Sequence, residues 1–202
     1  MIAYLKGELV VKSEEYIIIE VQGIGYKVFM SKKSIDELQE NRQVRVYTYL
    51  KVREDDISLF GFNTNEELRM FELLLSVSGI GAKSALVILS NVSVSSFALA
   101  IINNDINLLK KLPGIGPKTA QRVILELKDK LKKENEIVAN ENTDISDTIN
   151  TAIMDDEKIA EATAALKVLG YTGKEIEKAL EKVDANLSVE DIIRKGLLNL
   201  AR

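Results

Sequence analysis

One nine-residue phrase occurs twice in this chain, and it limits what the middle of the chain can be. Val77-Ser78-Gly79-Ile80-Gly81-Ala82-Lys83-Ser84-Ala85 returns as Leu112-Pro113-Gly114-Ile115-Gly116-Pro117-Lys118-Thr119-Ala120. Gly, Ile, Gly, Lys and Ala fall in register, and Ser84 is matched by Thr119. Each copy follows an apolar stretch with helical period and opens another. Glycines at these points let the backbone turn tightly and approach a partner closely, because no Cβ intervenes. The amides that begin the following helix have no acceptor within it, and they carry the positive end of the helix dipole. Such a helix start suits a phosphate. Two of them point to a grip on two phosphate stretches.

The charge distribution agrees. The chain is net −4 overall, yet residues 65–133, which hold both turns, carry 10 basic and 6 acidic side chains, net +4. Residues 1–64 are net −1, residues 134–154 net −5 and residues 155–202 net −2. A positive segment around two anion-binding turns is the electrostatic footprint expected of a nucleic-acid partner.

Other classes are excluded or weakened by what the chain lacks. There is no cysteine and no histidine, so no disulfide, no thiol chemistry and no imidazole base or ligand. No Gly-x-x-x-x-Gly-Lys-Ser/Thr turn exists, so ATP hydrolysis by this chain is not expected. Neither Gly-Ile-Gly extends to a dinucleotide fingerprint, since Ser84 and Thr119 stand where the third glycine would be. Glu54, Asp55 and Asp56 are adjacent on a turn and converge poorly on one ion, so neither a metal nor another cofactor is expected. The early charges Lys6 and Glu8 do not fit a secretion leader, and no run has the length of a membrane span. The expectation is a cytoplasmic protein without membrane attachment.

Along the chain, the first sixty residues read as strands. Tyr16–Val21 and Val44–Leu50 are rich in β-branched and aromatic residues, Gly23-Ile24-Gly25 marks a turn before Tyr26–Met30, and Ser34–Leu38 reads as one helical turn. A five-stranded barrel of the OB type fits, with a small open sandwich as the alternative. Arg53-Glu54-Asp55-Asp56 forms a polar tip before Ile57–Phe62. Thr64 and Glu67 fit a capping box. From there to Lys133 every apolar stretch has the helical period. Residues 134–154 hold no Lys, Arg, Gly or aromatic side chain and read as a flexible acidic linker. Glu157–Leu169, Gly173–Val183 and Ser188–Leu200 then give three short amphipathic helices.

The paired turns resemble the helix–hairpin–helix motif of DNA-repair proteins, in which hairpin amides hold a phosphate and a nearby Lys adds charge. On this reading the DNA contacts are Gly79, Gly81, Lys83, Gly114, Gly116, Lys118 and Arg122, with Lys110, Lys111, Lys128 and Lys130 as weaker candidates. Contacts of this kind hold the backbone and carry little sequence information. Two alternatives use the same features. One is a structure-specific nuclease or glycosylase subunit: the second copy also resembles base-excision glycosylases, but those need a later carboxylate in a Gly/Pro-rich loop and often an iron–sulfur cluster, whereas here Gln121–Glu126 simply continues the helix and no cysteine follows. A single-strand binder would work through barrel aromatics such as Tyr47 and Tyr49, which serve equally well as core.

Barrel, tandem hairpins, acidic segment and three-helix bundle, in that order, closely resemble the RuvA family of Holliday-junction-binding subunits over essentially the whole chain. Met1–Gly7, Arg53-Glu54-Asp55, Phe60-Gly61-Phe62, Leu112–Gly116 and Leu169-Gly170-Tyr171 carry the likeness. Pro117 departs from it, standing where relatives often have a further Lys, and Asp56 adds a carboxylate beside the pair. The resemblance implies an α+β multidomain chain: an N-terminal OB-fold β-barrel over 1–64, an all-α tandem helix–hairpin–helix DNA-binding domain over 65–133, a linker over 134–154, and a C-terminal three-helix, UBA-like, motor-binding domain over 155–202. It further implies a non-catalytic homotetramer, singly or as two tetramers, on a four-way junction. Glu54 and Asp55 would form a central acidic pin, the C-terminal bundle would engage the RuvB ATPase motor with Leu169 and Tyr171 as candidate contacts, and the RuvC resolvase would join the larger complex.

Overall fold

The computed structural model describes residues 1–140, 152–185 and 187–201. The N-terminal part is a closed barrel of β1 (Tyr4–Lys12), β2 (Tyr16–Val21), β3 (Ile24–Phe29), β4 (Gln43–Val52) and β5 (Ile57–Phe62), joined in the order β1-β2-β3-β5-β4. Only the β3–β5 contact is parallel, through Phe29 and Phe60. Leu5, Leu9, Ile17, Ile19, Val28 and Val46 fill the interior. They recur at every second position because successive strand side chains face opposite sides. The β2–β3 connection is tight, with both Gln22 and Gly23 at positive φ, as a two-residue hairpin turn requires. A short helix, α1 (Lys32–Asp36), capped by the Ser31 hydroxyl, crosses between β3 and β4.

The barrel meets the helical part at an aromatic seam. Phe71 is fully buried on α2 (Asn65–Leu75), with its ring 4.8 Å from Phe62 and 5.4 Å from both Phe60 and Tyr49. Tyr49 is therefore committed to this seam. Asn63 fixes the junction, its Nδ2 donating to Ser34 O and to a Glu37 carboxylate oxygen, each at 3.0 Å. Thr64 caps α2, accepting from Glu67 N at 3.3 Å. Glu67 does reach back, but one residue further than a capping box predicts: its carboxylate accepts from Asn63 N at 3.1 Å. Burial raises the Glu67 pKa above the usual carboxylate value.

Then follow α3 (Ala82–Asn91), α4 (Val94–Ile102), α5 (Ile106–Leu109) and α6 (Pro117–Asn140). Continuation of α6 through residues 134–140 departs from the sequence expectation of a linker starting at 134. The composition there is acidic, but Glu and Ala favour helix, and the preceding turns already supply the nucleus. The rest of that segment, 141–151, lies outside the described residues.

The C-terminal helices are α7 (Ala152–Val168), α8 (Gly173–Leu180) and α9 (Val189–Leu200). Ser188 caps α9 by accepting from Asp191 N. At the start of α8 the Glu175 carboxylate accepts from the Thr172 amide and hydroxyl at 2.8 and 2.6 Å, which lowers its pKa. This bundle is seated on the hairpin unit. Leu166, Leu169, Ile192 and Leu197 share one continuous apolar cluster with Leu74, Phe97, Ile101 and Val123.

Candidate nucleic-acid interface

Both repeats fold the same way. Ile80 N donates to Val77 O and Ile115 N to Leu112 O, each at 3.1 Å, so each phrase closes a four-residue turn. Gly79 and Gly114 occupy the third position with φ +92° and +82°. A β-carbon is strained in that region, so the turn selects glycine there. Ile80 and Ile115 point inward and are almost wholly buried, anchoring each loop to the core. The second glycine of each pair stands directly before a helix. Gly81 O accepts from Ala85 N and Gly116 O from Ala120 N, the first helical bonds of α3 and α6.

All four glycines are exposed. A β-carbon added at Gly81, Gly114 or Gly116 would meet nothing within 4 Å, and at Gly79 only the Arg122 guanidinium at 3.9 Å. The cap of α3 has no side-chain acceptor, so its first amides are left for an external anion. At α6 the first position is Pro117, which has no N–H, so the second hairpin offers one donor fewer. Lys83 and Lys118 are exposed beside these helix starts, and neither makes a hydrogen bond or ion pair among the described residues. Lys110 and Lys111 are exposed too, and Lys128 and Lys130 are half-covered.

Arg122 is placed differently from the lysines. Its Nη1 donates to Ser78 O at 3.2 Å, across 44 positions of sequence, and its Nε lies 3.9 Å from a Glu126 carboxylate oxygen. Glu126 in turn accepts from Ser78 N at 3.2 Å. Two residues on successive turns of α6 thus hold both backbone groups of Ser78, clamping the first hairpin to the helix that leaves the second. Sequence alone singles out Arg122 as a DNA contact and does not bring in Ser78 or Glu126; the i, i+4 spacing of Arg122 and Glu126 on α6 is the one signal it offers.

The acidic tip lies between β4 and β5, where Arg53 N donates to Asp56 O at 2.8 Å. Residues 52–57 are all exposed, including the apolar pair Val52 and Ile57 that faces across the ladder. Asp56 turns back to accept from the Ser58 hydroxyl at 2.5 Å, while Glu54 and Asp55 have no partner among the described residues. Among those residues no cluster of three or more acidic side chains is arranged to hold a metal ion. No single described helix is long and apolar enough to cross a membrane.

Of the two C-terminal candidates, Leu169 is buried in the shared core. Tyr171 is half-buried in a crevice of about 190 Å³ that Ser95 and Glu66 also line. Burial, with Glu66 nearby, pushes the Tyr171 pKa up to about 12. Leu169 is therefore not offered to an outside partner while the bundle is seated, whereas Tyr171 keeps part of its surface open to the crevice.

The sequence matches family descriptions in three consecutive stretches: the RuvA N terminal domain over residues 1–61, the SAM-like helix–hairpin–helix tandem over 71–129, and the RuvA C-terminal domain over 157–201. A Holliday junction branch migration complex subunit RuvA from Acetivibrio thermocellus is 47% identical over 204 residues, covering 100% of both chains. The chain belongs to the RuvA family. Relatives of the same description from Clostridium perfringens, 44% identical, and Ruminiclostridium cellulolyticum, 41% identical, cover 100% and 99% of the chain. The barrel, the hairpin tandem and the C-terminal helices expected from the resemblance are all present in the fold.

Proposed function

We propose that this chain binds four-way DNA junctions without regard to base sequence and couples them to an ATP-driven motor for branch migration in recombination and repair. One observation carries the reading: four exposed hairpin glycines, three of them with nothing within 4 Å of an added β-carbon, each pair leading into a helix start beside a lysine that makes no ion pair among the described residues. The amides and Lys83 and Lys118 take phosphates of one duplex arm, and the backbone contact makes the grip independent of sequence. The relatives are described as subunits of a Holliday junction branch migration complex, which supports a junction as the DNA form.

Four copies around a symmetry axis, one arm each, bring the Glu54 and Asp55 tips together where strands cross. Like charge then repels the crossing phosphates and keeps the centre unstacked. The chain is non-catalytic on this reading. Hydrolysis belongs to the RuvB ATPase, engaged through the C-terminal bundle, with the RuvC resolvase acting on the same cytoplasmic complex. The test is a gel shift of a four-way junction against linear duplex of the same sequence, with native mass of the free protein. Preference for the junction and a tetrameric mass, or twice that, are expected. Equal affinity for both DNAs, or a monomer, overturns the reading.

A further inference from the structure

The outer wall of the barrel carries a charged and aromatic patch that the hairpins do not use. On the β1–β4 ladder Tyr4 stands opposite Tyr47, and Lys6 opposite Arg45. Alternate positions of a strand share a face, so all four side chains project from the same side of the sheet. Leu5 and Val46, paired between them, are buried in the interior, so that side is the outer one. Tyr4 is 50% exposed, Lys6 and Arg45 are exposed, and Tyr47 is half-buried. The next outward residue on β4, Tyr49, is turned into the seam with Phe71, so α2 bounds the patch on that side.

Two features separate it from a plain solvated strand face. Like charges directly opposite on neighbouring strands repel, yet neither Lys6 nor Arg45 makes an ion pair or a side-chain hydrogen bond among the described residues. The Arg45 guanidinium instead lies 4.3 Å from the centroid of the Tyr4 ring and 5.8 Å from that of Tyr47. Stacking engages the flat face of the guanidinium and leaves N–H donors along its edge. The result is an exposed shelf of two rings and one planar cation, with a second cation beside it. Acid is confined to one end: Glu8, two positions beyond Lys6, stands opposite Gln43 on β4 and Glu20 on β2.

We propose that this shelf binds an unpaired DNA strand, with bases stacking on Tyr4 and Tyr47 while Lys6 and Arg45 take the phosphates. Ring and cation alternate along each strand at about 6.8 Å, two residues of strand rise, which is the reach of one extended nucleotide. Every base has a π face for a tyrosine, so the grip is indifferent to sequence. A bound phosphate also relieves the repulsion between Lys6 and Arg45. A duplex fits less well, because its bases are stacked on one another and only phosphates would meet the two rings. The hairpins hold paired arms; the barrel wall takes bases that have left their pairs.

The experiment uses the full chain with labelled oligothymidine of about 12 nucleotides, a length one barrel of this kind covers, and an abasic phosphodiester chain of the same length. Anisotropy reads binding at low and moderate salt, with melting temperature and native mass taken for every variant. The parent should bind oligothymidine more tightly than the abasic chain. Tyr4→Ala should weaken oligothymidine binding at least about fivefold, whereas Tyr4→Phe, which keeps the ring, should not. Lys6→Gln with Arg45→Gln should weaken it similarly and lower the salt slope; Arg45→Lys, which keeps the charge and loses the plane, stands in if that pair does not fold. Lys83→Glu with Lys118→Glu should retain oligothymidine binding, and the barrel variants should retain junction binding. Parental oligothymidine affinity in the barrel variants overturns the shelf, and equal binding of the abasic chain by the parent overturns the stacking. Equal loss in the hairpin pair, or junction binding lost in parallel by the barrel variants, overturns a separate site and leaves the hairpin reading standing. A changed native mass in the barrel variants makes this wall a contact between copies of the chain and overturns the proposal.

Discussion

Arg122 on α6 donates to the Ser78 carbonyl of the first hairpin at 3.2 Å, although the two residues are 44 positions apart. With Glu126 accepting from the Ser78 amide, this fixes one phosphate-binding turn relative to the other. Arg122 acts here as a positioning residue, and its charge is partly spent on Glu126. Substitution Arg122→Ala should speed hydrogen exchange at the Gly79 and Ile80 amides and weaken junction binding several-fold. Glu126→Gln keeps an oxygen acceptor for Ser78 and should leave affinity within about twofold, the scale of an exposed ion pair's ~0.5 kcal/mol. Unchanged exchange in Arg122→Ala contradicts the clamp.

Lys83 and Lys118 should behave as plain phosphate contacts. Lys83→Glu with Lys118→Glu should weaken junction binding and lower the salt slope by about 0.9 per contact removed. A salt titration of the gel shift reads both, and an unaltered slope argues against the lysines.

Replacing Glu54 with Gln and Asp55 with Asn should leave junction affinity the same or higher and change the branch-migration rate more than the binding. Both side chains are exposed and unpartnered among the described residues, so thermal stability should hold. Collapse of binding with unchanged junction geometry would remove the repulsive role.

Glu67 predicts a pH effect. Burial raises its folded-state pKa, so above that value the ionised carboxylate costs stability, and the cost disappears as pH falls through the folded value. Glu67→Gln should therefore melt higher than the parent at pH 7, with the difference vanishing toward pH 4. A lower melting temperature at pH 7 would show that the hydrogen bond from Asn63 outweighs desolvation.

What the sequence made legible was local. Gly79 and Gly114 were readable because a tight turn between helices needs a residue free of Cβ strain, and the repeat showed it twice. Ser188 and Thr64 were readable as caps because their partners lie three residues away. The first strand was harder: in Tyr4–Lys12 the inward positions are Leu5, Gly7 and Leu9, and Lys6-Gly7-Glu8 interrupts the β-rich composition. The helical register of residues 134–140 was hidden by acidic composition. The seating of the bundle was not legible at all, because Gly170, with φ +99°, reads like any helix-ending glycine until α2 is seen against it. Arg122 likewise looked like a free cation because Ser78 is distant in sequence.

The most direct measurement is the pair Gly81→Ala and Gly116→Ala, assayed for thermal stability and for junction affinity side by side. Neither position lies in the left-handed region and neither has an atom within 4 Å of an added β-carbon, so the fold should tolerate both methyl groups. Only a bound phosphate would meet them. The account predicts an unchanged melting temperature with at least tenfold weaker junction binding; parental affinity in both variants would contradict it.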